Sequence, residues 1–65
     1  MKLLDILHGK LEDRRQPLLR AVNDGGAKSY DHYKELCGTI RGLETAQLEI
    51  KDLVRKLKES DDDPI

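Results

Sequence analysis

The side chains best suited to bind a metal or attack a carbonyl are two histidines and one cysteine, His8, His32 and Cys37. Zinc sites draw their ligands from paired short spacings, and these three residues do not form them. His8 and His32 fall near opposite ends of the hairpin described below. Each reads as a surface or boundary histidine rather than a pH sensor. Cys37 lies mid-helix beside an apolar seam with no base to activate it, so it reads as a structural thiol rather than a nucleophile. The chain has no glycine loop for phosphate, no nucleophile with a positioned base and no carboxylate pair aimed into a cleft. It reads as a non-enzyme, and neither cofactor nor metal is expected.

Charge offers more. Charged residues make up 38% of the 65, with 12 basic and 13 acidic side chains. Four of the acids, Glu59, Asp61, Asp62 and Asp63, stand at the end, which leaves nine acids against 12 bases and a charge of +3 on residues 1–58. Arg14, Arg15, Arg20 and Arg41 could present a basic surface to phosphates or to an acidic protein. Glu12, Asp13 and Glu44 are close enough to neutralise it, and a solvated mixed-charge face is the plainer reading. The near-zero net charge and the absence of Trp and Phe argue against nucleic acid, because single-strand binding needs aromatic platforms. No apolar stretch approaches the ~20 residues that span a bilayer. Met1–Leu7 has no cleavage pattern of a signal peptide. A lone cysteine then fits a reducing cytosol.

Two helices must carry all of this. Tyr33, Ile40, Gln47 and Val54 recur every seven residues, as do Leu36, Leu43, Ile50 and Leu57, offset by three. That interleaving is the seam of a coiled coil or bundle, and it predicts a helix over 30–59 capped by Ser29. Leu4, Leu7, Leu11, Leu18 and Val22 predict a first helix over 3–23. Pro17 interrupts it and should kink it, or break it into two shorter helices. Residues 24–29, with Gly25 and Gly26, form the turn. Gly38, Gly42 and Ala46 stand four apart, so another helix could approach closely there, within the chain or from a second copy; otherwise the glycines face solvent. Gln47, the one polar seam residue, either fixes register from a buried position or keeps its amide in water.

The expected architecture is all-α, an antiparallel two-helix hairpin over 1–59 with an acidic flexible tail over 60–65. At 1.5 Å per residue the helices are roughly 30 and 45 Å long. Pairing Val22 with Tyr33 and Leu3 with Ile50 leaves Leu53, Val54 and Leu57 beyond the first helix. A chain this small is near break-even alone, and an uncovered apolar cluster usually marks an interface. Self-association through the seam residues and Leu53, into a four-helix bundle or a larger oligomer, follows.

Two resemblances bear on the setting. Residues 30–46, most specifically Cys37-Gly38-Thr39-Ile40-Arg41-Gly42-Leu43, resemble a segment of short, mostly uncharacterised proteins encoded by tailed bacteriophages. That likeness implies the cytoplasm of an infected bacterium, or the virion, and a structural or assembly role with another phage or host protein as partner. It carries no catalytic residue across. The alternative is a small phage or plasmid regulator that binds a host protein or nucleic acid. In plan alone, with no matching run of residues, the chain is similar to the plasmid copy-number repressor Rop. The tail Ser60–Ile65, with Asp61, Asp62, Asp63 and an apolar end at Ile65, resembles the acidic tips of bacterial single-stranded-DNA-binding proteins. Those tips dock into basic pockets, but the terminal Phe is missing here, and a solubilising tail is the plainer reading.

Overall fold

A computed structural model describes residues 2–62, with side chains described through Glu59. Two helices, α1 over Lys2–Asn23 and α2 over Tyr30–Asp62, fold back on each other as an antiparallel pair. The described residues contain no strand. The molecule is a rod of 54 × 17 × 13 Å, close to the length of its 33-residue helix.

Local chemistry sets the ends of the elements. At the end of α1 the Gly26 N–H donates to the Ala21 carbonyl at 2.6 Å and the Gly25 N–H to that of Val22 at 3.4 Å. Gly25 has φ 71°. These crossed bonds around a left-handed residue are a Schellman closure, which satisfies carbonyls that the helix leaves open. At the start of α2, Ser29 Oγ accepts the His32 N–H at 3.1 Å, and His32 Nδ1 accepts the Lys28 N–H at 3.0 Å. This is a variant of the capping box in which a histidine stands where Glu or Gln is more usual and reaches the N–H of the residue before the cap.

Pro17 lies inside an unbroken α1, which sets aside the alternative of two shorter helices. Its side chain is exposed, so the carbonyl it leaves without a donor lies on the solvated side of the helix. At the other end, α2 continues to Asp62, three residues past the expected boundary.

Across the seam Arg15 pairs with Glu44, and Gln47 with Glu12 and with the His8 carbonyl, so the middle of α1 lies against the middle of α2. Val54 and Leu57 are half-buried rather than projecting free. Leu53 stays 45% exposed.

Candidate functional site in the helix seam

Only two described side chains are buried, Ile40 at 7% exposure and Gln47 at 8%. They are seven residues apart on α2, so both face α1. Leu36, Leu43, Ile50, Val54 and Leu57 are half-buried beside them, while Tyr33 is exposed. Gln47 therefore takes the buried one of its two possible positions, and it has found polar company. Its Nε2 donates to Glu12 Oε1 at 3.0 Å and to the His8 carbonyl at 3.5 Å.

Glu12 is the hub of this network. Arg15 grips both of its carboxylate oxygens, through Nε at 2.9 Å and Nη2 at 3.1 Å, and Gln16 donates to Oε2 at 2.7 Å. The Arg15 Nη1 reaches across the seam to Glu44 at 2.9 Å. Donors converging on a carboxylate favour its charged form. The Arg15 hydrogen bonds, then those of Gln47 and Gln16, hold Glu12 down to about 2. Arg15 is raised in return, chiefly by Glu12. A carboxylate held this firmly in its charged form is a poor proton donor at neutral pH. Its service is to lock the two helices in register.

The same pairs decide which flanks of the helices meet. Glu12 and Arg15 of α1 line one open recess with Glu44, Gln47, Leu48 and Lys51 of α2. Each successive residue turns about 100° round a helix, which brings Leu7, Leu18 and Ala21 to the opposite flank of α1. On α2 the opposite flank carries Ala46, Ile50, Leu53 and Leu57. The hairpin thus has one lateral face that carries Glu12, Arg15, Glu44 and Lys51, and another that carries Leu7, Leu18, Leu53 and Leu57 together with the exposed Arg14 and Glu35. At the end away from the turn Leu3 is 77% exposed, Leu7 is also open to solvent, and Ile6 is exposed further round toward the back of α1.

The other candidate residues are dispersed. Arg14, Arg20 and Arg41 are exposed, and Arg15 is engaged by Glu12 and Glu44. Gly38 and Gly42 are exposed, and a Cβ at either would meet nothing within 4 Å. No helix of the same chain therefore approaches them closely, while Ala46 is half-buried. His8 offers its backbone carbonyl to the seam, and His32 caps α2. Tyr33 is pushed above the ordinary phenol range by Cys37 one turn along, by hydrogen bonding first and by charge second. Among the described residues there is no group of three or more His, Cys, Asp or Glu fit to hold a metal. None of their helices is long and apolar enough to cross a membrane. Asp61 and Asp62 belong to the last turn of α2, but their side chains, like Asp63 and Ile65 entirely, lie outside the described residues.

Sequence reasoning treated Glu12 and Glu44 only as neutralising charges and missed them as seam residues. A signal was available. Glu12 precedes Arg15 and Gln16 by three and four residues, the spacing at which helical side chains meet. A buried Gln47 needs a polar partner at its own level. No protein-family model matches the chain, nor does any curated protein or solved structure. The likeness of residues 30–46 to phage proteins rests on those residues alone.

Proposed function

We propose that the chain is a non-enzymatic assembly protein whose activity is to bind copies of itself through the apolar lateral face of the hairpin. The observation that carries this reading is the contrast in burial. Among the described residues two side chains are buried, while Leu3, Leu7 and Leu53 on that face are each at least 44% exposed, as are Ile6 and Leu48 outside it. A second copy laid on that face would cover leucines whose full burial is worth about 1.5–3 kcal/mol apiece. It would also place Ile50 and Leu57 in a core shared by four helices. Sedimentation equilibrium across micromolar concentrations tests the reading. A reversible dimer or larger closed oligomer is expected, and a monodisperse monomer throughout would reject it.

The setting we propose is the assembly of a phage particle in an infected bacterium, and it is supported by the resemblance of residues 30–46. Mass spectrometry of purified particles tests that part by itself, and complete absence of the chain would remove virion incorporation. The rival regulator needs a basic surface. Arg15, already shared between Glu12 and Glu44, is withdrawn from one, which leaves Arg14, Arg20 and Arg41 as the arginines to supply it. Nothing in the geometry favours that rival.

A further inference from the structure

We infer that the outer side of α1, turned away from α2, lies on an anionic lipid surface. Leu3 and Ile6 enter the bilayer interface, and the cations beside them sit among the headgroups.

Helical geometry decides which residues share that side. At about 100° per residue, Lys2, Ile6, Lys10, Asp13, Pro17 and Arg20 fall opposite the half-buried Leu4, Leu11, Arg15 and Val22. Leu3 and Arg14 stand at the edge of the same side, and each of these outward residues is exposed. Leu3 is 77% exposed and Ile6 50%. Four cations, Lys2, Lys10, Arg14 and Arg20, therefore stand against one acid, Asp13. Among the described residues none of these charged groups takes part in an ion pair. The other acids of α1 are turned elsewhere. Asp5 lines a recess with His8, Lys51 and Val54, and Glu12 accepts from Arg15, Gln16 and Gln47.

The order of the side chains favours lipid over other polyanions. Lys2 and Lys10 stand four residues to either side of Ile6, so the three share one ridge of α1. Leu3, Leu4, Ile6, Leu7 and Lys10 line an open recess at the same place. A lysine or arginine can lay its stem along apolar atoms while its charge reaches a phosphate. A nucleic-acid duplex would satisfy the cations but offer nothing to Leu3 and Ile6. A bilayer interface satisfies both, because headgroups and acyl chains meet there. Each Lys or Arg near an anionic leaflet strengthens binding about fivefold, and the exposed leucine and isoleucine add to it by leaving water. α2 stands behind α1 at an axial separation of about 8–10 Å. That is about one Debye length at physiological salt, so the acids of its last turns are screened from the surface. The side in question leaves out Leu53 and Leu57, so binding to lipid does not require self-association.

Flotation of the full-length chain with vesicles tests the inference. Binding is expected to phosphatidylcholine vesicles holding about one-third phosphatidylserine, and not to phosphatidylcholine alone. It should be lost in about 0.5 M salt. Lys2→Gln and Lys10→Gln should each lower partitioning about fivefold. Ile6→Ser should lower it about threefold to tenfold, with circular dichroism unchanged because Ile6 is exposed. The chain has no Trp, so Ile6→Trp supplies a single reporter. Its emission should shift to the blue on the anionic vesicles, whereas that of Leu48→Trp, exposed on another flank, should not. No partitioning, equal binding to both vesicles, an unmoved Ile6→Trp spectrum, or tighter binding to a DNA or RNA duplex in the same salt would each overturn the lipid surface. Any of these results leaves the self-association proposed above standing, since sedimentation tests that separately.

Discussion

Glu12 is the residue through which the two helices recognise each other, and its protonation should therefore register in stability. Its carboxyl sits at about 2 when folded, below the ordinary value of 4.5. A depressed acid contributes stability that is complete above its unfolded value and is lost as pH falls toward the folded one. Thermal melts followed by circular dichroism should lose this contribution between about pH 4.5 and 2. Asp52, lowered by Lys56 first and Arg55 second, adds to the same acid loss. Glu12→Gln should therefore shrink the acid step without abolishing it; an unchanged step would show that the network does not persist in solution. Gln47 makes a different prediction. Removing it leaves Glu12 with Arg15 and Gln16, so Gln47→Leu should alter stability by no more than about 1 kcal/mol. It should nonetheless loosen register, detectable by light scattering as more than one oligomer size.

At the scale of elements, the glycines divide by conformation. Gly9 sits within α1 with open space around the place of a Cβ, so Gly9→Ala should stabilise the fold by about 0.5–1 kcal/mol. Gly25 also has open space, but its φ is +71°, and Gly25→Ala should cost about 1 kcal/mol or more. Urea unfolding of the two variants should shift the midpoint in opposite directions. The helices themselves were legible in advance because a seven-residue recurrence and a Gly-Gly pair leave little else for residues 30–59 and 24–29 to be. The polar contacts between them were not, because a hydrophobic pattern within one helix carries no information about which polar side chains of the other will meet it. The same limit hid the seam roles of Glu12 and Glu44, whose partners lie 35 and 29 residues away.

For the whole molecule, the self-association proposed above makes stability and association one property. The melting temperature should rise with protein concentration, as it does whenever binding favours the folded state. Leu53→Glu places a charge on the apolar face outside the intrachain network. It should weaken association at least tenfold by sedimentation while leaving the Glu12–Arg15–Glu44 pairing intact. Leu48→Glu, on the polar lateral face, is the matched control and should leave association unchanged.

An interior that, among the described residues, consists of one isoleucine and one glutamine has a calorimetric consequence. Heat capacity rises on unfolding because apolar surface meets water, and so does sensitivity to urea. A solitary hairpin hides so little that its heat-capacity increment should fall well short of the usual 12–15 cal/mol/K per residue. Dilution should therefore flatten the thermogram as well as move it, from a sharp endotherm toward a broad, almost featureless rise.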